Sequence, residues 1–261
     1  MLDTLYIGAT GMRAQQTQID TIAHNVANVN TVGFRRSSVS FAEVTAAQNA
    51  LTPNPLAEAV AAALPPRGAG TYARVALSAA GGELKSTGEP LDLAIDGAGF
   101  LEVLRADGSP AYTRAGTLRI NDDGALALAD GSPLASRVDL PPDATEIEIA
   151  ADGRVLARVD GVVEPVEVGT LELVSFANPG GLEAVGNNLY AATADSGEAR
   201  SGAPGENGLG SFRQGYVESS NVQLIDELVT LMLAQRAFEM NGKLVQAADQ
   251  MLAIANSLYR S

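Results

Sequence analysis

Hydrophobic residues recur with a helical period at the two ends of the chain and alternate in short runs between them. From Asn221 to Tyr259 there is no proline, and Leu224, Leu231, Phe238, Val245, Leu252 and Tyr259 stand seven residues apart. That spacing is the seam of a long helix. Ala237, Leu244, Met251 and Leu258 run beside it, and Ala234, Ala248 and Ala255 mark a line of small residues along which a second helix can approach closely. The first thirty residues carry a matching pattern: Leu5, Met12, Ile19 and Val26 step by seven, with Leu2, Ala9, Gln16 and Ala23 at alternate positions. At about 1.5 Å per residue the first helix would be roughly 40 Å long and the second nearly 60 Å. A compact middle cannot cover helices of that length, so the two ends are expected to pair, with the remaining stripe meeting other copies.

Asn25, Asn28 and Asn30 crowd together before Thr31 and Gly33, and Asn and Gly both tolerate the left-handed conformation that closes a helix. The first helix should therefore end in a turn at Asn30 to Gly33 and give way to an extended run, Phe34 to Phe41, that carries Arg35 and Arg36. Gly8 and Gly11 lie inside this helix, each costing up to about 1 kcal/mol against Ala. Its order is therefore expected to come with assembly. Ala46 to Ala63 is Ala-rich, interrupted by Pro53 and Pro55 and followed by Pro65, Pro66, Gly68 and Gly70. It reads as a helical piece within a long excursion, or as a surface linker.

From Thr71 onward the signals are β. Candidate strands are Leu91 to Ile95, Phe100 to Leu104, Ala111 to Thr113, Thr117 to Ile120, Ala125 to Leu128, Glu146 to Ile149, Arg154 to Val159, Val162 to Val168 and Leu171 to Phe176. Asp96-Gly97, Asp107-Gly108, Ala115-Gly116 and Asp123-Gly124 separate the first five, and such pairs favour tight hairpins because the glycine takes a positive φ. A Gly-rich bend, Gly197 to Gly210, leads through Phe212 to Val217 into the last helix, with Ser219, Ser220 or Asn221 as its N-cap. The expected fold is α+β: long N- and C-terminal helices forming a coiled-coil-like core, with a mainly antiparallel β domain inserted between them. The expected division is a helical core at 1–30 and 221–261, a connecting region at 31–80 and 205–220 with an extended or partly helical excursion, and a β domain at 81–204.

Charge narrows the partners. Seventeen basic against 31 acidic residues give a net charge of −14, which argues against nucleic acid or an anionic membrane. With no cysteine, disulfides, thiolate metal sites and Cys nucleophiles are excluded, and the compartment stays open. The N-terminus has an acid at position 3 and neither a basic n-region nor an apolar h-region, so no cleaved signal peptide is expected. No apolar window is long enough for a membrane span.

Candidate chemistry is sparse. Asn121-Asp122-Asp123-Gly124 has only the opening of a calcium loop and reads as a hairpin turn. Gly97-Ala98-Gly99 is followed by a strand-like run instead of the helix that a dinucleotide fingerprint requires. His24, the single histidine, reads as a polar helix-surface or interface residue. The acidic pairs Asp92 with Asp96 and Glu146 with Glu148 give no reason to be chosen for acid-base work. No catalytic residue, cofactor or metal is expected. In the last helix, Gln235, Gly242 and Asp249 fall where a two-stranded seam would want Leu, a pattern that suits a crowded tube of many helices.

The stretch Ala23 to Arg36, AHNVANVNTVGFRR, resembles the N-terminal signature of the bacterial flagellar rod and hook family, with His24 where the family usually has Asn. Thr87 to Leu118, Phe176 to Tyr190 and Gly205 to Leu244 resemble three further blocks of the same family in the same order, leaving only about Val44 to Ala80 uncovered. Chain length and the run Leu140 to Val155 are most similar to the distal-rod type, with the proximal-rod and hook types as alternatives. A secreted β-rich binding protein or enzyme is the remote alternative.

The resemblance implies a helical homopolymer: a hollow drive shaft whose terminal helices line the inside and whose β domain faces outward. Leu5, Met12, Ile19, Val26, Leu224, Leu231, Phe238, Val245 and Leu252 would be the inner packing set, with Asn25, Asn28, Gly33 and Phe34 fixing the exit from the first helix. It further implies proximal rod proteins, hook protein, outer-membrane and peptidoglycan ring proteins, rod cap and flagellar export apparatus as partners. The implied location is the basal body across the periplasm, without membrane insertion.

Overall fold

The computed structural model describes residues 2–44, 70–159 and 164–260. Two helices bracket a mainly antiparallel β region, and the residues group into two compact units. One unit takes helix α1 (Leu2–Ala27), strand β1 (Ser37–Val44), β2 (Gly70–Leu77) up to Ala76, and helix α2 (Leu224–Arg260). In it α1 packs along α2. Gly8 lies beside Val245, Gly11 beside Asn241 and Asn25 beside Glu227, so the helices run antiparallel.

The glycines read above as weak points of α1 are places where α2 comes close. A Cβ on Gly8 would stand 2.7 Å from Val245 Cγ2, and one on Gly11 would stand 3.4 Å from Asn241 Nδ2. Ala14, Ile22, Ala234 and Ala248 are buried, which places the line of small residues on α2 at the close approach. Strands β1 and β2 form a two-stranded ribbon, with Ser38 facing Ala76 and Ser40 facing Arg74. The helical piece expected within Ala46 to Ala63 lies outside the described residues.

The other unit holds residues 28–36 and 77–222. Its strands are β3 (Leu84–Ser86), β4 (Leu93–Asp96), β5 (Leu101–Leu104), β6 (Pro110–Thr113), β7 (Leu118–Ile120), β8 (Leu126–Leu128) and β9 (Ala144–Ile149). They continue with β10 (Arg154–Val159), β11 (Val166–Thr170), β12 (Leu173–Ser175), β13 (Glu183–Gly186), β14 (Leu189–Ala191), β15 (Arg200–Gly202), β16 (Ser211–Gln214) and β17 (Tyr216–Glu218). Strands β9, β10 and β11 form a meander, and the order β13-β14-β6-β5 makes a four-stranded sheet. The last strands return to the first, with Phe212 opposite Ile95 and Val217 opposite Lys85.

Burial alternates along β5 and β10, whose inward positions join the larger core. Leu93, Val103, Leu126, Val155 and Leu173 meet in its centre. A second cluster stacks Phe100, Tyr112, Phe176 and Tyr190 edge to face, with Tyr112 and Phe176 centroids 4.8 Å apart.

Several local expectations are corrected. Gly108 and Gly124 take positive φ in hairpin turns, and Asn121 Oδ1 accepts from the Asp123 and Ala125 amides in the second. Asp96-Gly97, however, joins no hairpin, because β4 pairs with β16 and β5 with β6. Gly97 does take a positive φ, whereas Gly116 does not. Gly116 admits a backbone crossing, since a Cβ there would fall 1.6 Å from Leu93 O. None of the proposed N-caps acts as one. Asn221 Oδ1 instead accepts from the Arg36 amide (2.6 Å), its Nδ2 donates to Ala80 O (2.8 Å), and α2 begins at Leu224. Strands β3, β13, β14 and β15 were not read from the sequence, although Asn187 and Asn188, both at positive φ, turn β13 into β14.

Candidate assembly surfaces

On the helical unit the expected seam residues fall on more than one side. Met12, Ile19, Val26, Leu231 and Val245 are half-buried, while Leu224 and Phe238 are exposed. The side chains of Leu5 and Leu252 are outside the described ones. The line of α2 that meets α1 is Glu227, Ala234, Asn241 and Ala248. Away from it α2 exposes large apolar side chains among charged ones such as Arg236 and Lys243: Ile225 is 77% exposed, Met232 55%, Leu233 63%, Met240 68% and Ile254 61%. A helix that is apolar on both faces is a buried helix in its working state.

At the end of α1, Asn25 is 1% exposed. Its Nδ2 donates to Ser37 O (2.8 Å) and to Glu227 Oε2 (3.3 Å), and its Oδ1 accepts from the Ser37 amide (2.9 Å). One amide side chain therefore ties α1, β1 and α2. Glu227 is also 1% exposed. From sequence it reads only as an acidic residue in the first turn of a helix, favourable to the dipole.

In the β unit, the exit from α1 is fixed as a tight turn. Asn28 O accepts from the Thr31 amide (3.1 Å), and Thr31 Oγ1 donates to Asn28 Oδ1 (3.1 Å). Gly33 has φ +69°, and a Cβ on it would fall 2.4 Å from Arg114 C. Both conditions demand glycine. Phe34 is buried next to it, and the Gly33 amide donates to Glu218 O (2.7 Å).

Glu218 is the centre of a buried ion cluster that the sequence does not announce. Its Oε1 accepts from Arg35 Nη2 (2.9 Å) and the Gly82 amide (2.8 Å), and its Oε2 from Arg114 Nε (2.8 Å). Arg114 spends its other nitrogens on Gly99 O (2.6 Å), Gly97 O (2.8 Å) and Ile95 O (3.3 Å). Arg35 Nη1 donates to Ala79 O (2.9 Å) and Ala80 O. Burial holds the Arg114 guanidinium below its usual pKa range, Glu218 opposes that shift, and Arg35 adds to it. The Gly97-Ala98-Gly99 bend thus presents its carbonyls to an arginine.

None of this is a catalytic arrangement. His24 is exposed on α1, Asp92 is buried while Asp96 is exposed, and Glu146 pairs with Arg158 (3.2 Å). Among the described residues no helix is long and apolar enough to cross a membrane.

Three family models match the chain in order. They are a flagella basal body rod protein model over residues 5–35, a flagellar hook protein FlgE/F/G D1 domain over 94–157, and a flagellar basal body rod FlgEFG protein C-terminal model over 213–258. Among known proteins, the flagellar basal-body rod protein FlgG of Caulobacter vibrioides is 39% identical over 98% of this chain and 99% of its own length. FlgG of Borreliella burgdorferi is 39% identical over the whole of both chains. FlgG of Bacillus subtilis is 36% identical over 97% of each.

Proposed function

The chain belongs to the FlgG family of flagellar basal-body rod proteins, and from that premise we propose that its terminal helices build the rod by helical polymerisation. It is a structural subunit of the distal rod in the bacterial flagellum, serving motility, and not an enzyme. Identical subunits related by a rotation that does not close give an open helical filament. In this reading the helices form a coiled-coil-like inner wall around a channel that passes exported subunits, and the tube transmits torque from motor to hook.

The observation that carries the reading is the apolar outer side of α2, exposed at Ile225, Leu233, Met240 and Ile254 while the opposite side already meets α1. Another copy is the partner that such a repeated face of large apolar side chains fits. Leu5, Met12, Ile19, Val26, Leu224, Leu231, Phe238, Val245 and Leu252 supply packing within and between helix pairs. Asn25, Asn28, Gly33 and Phe34 set where the chain leaves them. Proximal rod proteins, hook protein, the ring proteins of outer membrane and peptidoglycan, the rod cap and the export apparatus are the proposed partners, with the rod crossing the periplasm.

The test is electron microscopy of the purified full-length chain at rising concentration, beside the variant Met232→Glu/Met240→Glu. Straight hollow filaments from the first and none from the second are expected. Filaments of equal length from both would remove the outer side of α2 from the interface.

A further inference from the structure

We propose that the buried pair Asn25 and Glu227 is the element that selects the register of α2 on α1. The seam between the helices is otherwise permissive. The line of α2 facing α1 repeats every seven residues as Glu227, Ala234, Asn241 and Ala248, with Glu227, Ala234 and Ala248 buried. On α1 the facing positions near the other end are Gly8 and Gly11. A glycine accepts whatever stands opposite and so does not choose. A slip of one heptad would set Gly11 against Ala248 and Asn25 against Ala234 in place of Glu227, so Gly11 would still meet a residue it can accommodate.

What would not survive is the polar node. Asn25 is held by two hydrogen bonds to the backbone of Ser37, which aim its amide at Glu227. A slip would part Asn25 from Glu227, and a buried charged group that loses a hydrogen-bond partner is strongly disfavoured. A buried polar pair that fixes register in an otherwise interchangeable helix seam is the best attested use of such pairs. The proposal is independent of what the assembled tube does.

Because the chain has no cysteine, engineered pairs report register cleanly, as a disulfide needs its Cβ atoms close. Two full-length reporters are needed: Gly11→Cys/Asn241→Cys for the present register and Gly11→Cys/Ala248→Cys for the slipped one. Intramolecular bonds are read as oxidised chains of monomer mass on non-reducing gels. In the native background only the first should close. With Asn25→Leu/Glu227→Leu added, closure of the second should rise several-fold until both close comparably. With Glu227→Gln, which keeps an acceptor for Asn25, the native pattern should hold. Moving the carboxylate one heptad, by Glu227→Leu/Ala234→Glu, should make the second reporter the dominant one.

An unchanged pattern in the double-Leu and moved-carboxylate backgrounds would show that the Arg36–Asn221 anchor alone sets the register, and would overturn the proposal. So would loss of helical circular dichroism in the double-Leu variant, since the pair would then be needed to form the helices and not to align them.

Discussion

Glu218 joins two arginines of the β unit at one buried site. Two guanidinium groups and one carboxylate, each side chain no more than 6% exposed, share one buried site. Taking the carboxylate away leaves positive charge that water cannot reach. Glu218→Gln should therefore destabilise the β unit by about 3 kcal/mol, the range for breaking one side of a buried pair. Urea unfolding followed by tyrosine fluorescence measures it, since the chain has six tyrosines and no tryptophan and Tyr112 and Tyr190 are buried there. Removing the exposed partner of a surface pair, Arg137→Ala, should leave the midpoint in place.

Gly33 was legible in the sequence through its local reason, a helix ending in Asn and Gly, while its close approach to Arg114 was not. The cluster was not, because Arg114 and Glu218 are 104 residues apart and neither sits in a pattern that marks burial. Asn25 lay between these cases. It was legible as part of the helix exit, whereas its bond to Glu227 spans 202 residues and needed the fold to be seen.

At the scale of elements, periodicity predicted both helices and most strands, but it did not say which side of α2 meets α1. The Leu224-to-Leu252 stripe and the Ala234 and Ala248 line are both regular, and a helix apolar all round has no unique buried face. Small residues, not large ones, marked the close approach. The two glycines of α1 make this testable. Gly11→Ala adds a Cβ at ordinary distance from Asn241 and gains helix propensity, so it should stabilise the helix pair by up to about 1 kcal/mol. Gly8→Ala brings a Cβ to 2.7 Å from a methyl of Val245, a β-branched side chain stiff in a helix, and overpacking of this kind costs about 1–3 kcal/mol. Thermal melting followed at the helical circular dichroism band should move up for Gly11→Ala and down for Gly8→Ala. Similar stabilisation by both would mean that the helices do not approach closely at Gly8. Strands were legible where a turn pair bounded them, as in β7 and β8. They were missed where a return from far along the chain made the pairing, as in β3 with β17.

For the molecule as a whole, the balance between apolar association and like charge decides how assembly responds to its surroundings. The net charge is −14, yet α1 and α2 together carry only six of the 31 acidic residues and four basic ones. The face that would join copies is therefore close to neutral, and the repulsion between copies arises elsewhere on the chain. Salt should then act in one direction. Raising ionic strength from about 0.01 M to about 0.15 M shortens the screening length from about 30 Å to about 8 Å, which weakens repulsion between whole subunits and leaves apolar burial intact. The critical concentration for filament formation, read by sedimentation, should fall across that range. An interface held together by ion pairs between copies would give the opposite slope, because screening would weaken the attraction itself. Cooling separates the two further, since apolar association weakens in the cold. Filaments that loosen at low temperature and low salt, and return on warming with salt, would identify burial of the α2 outer side as the driving term.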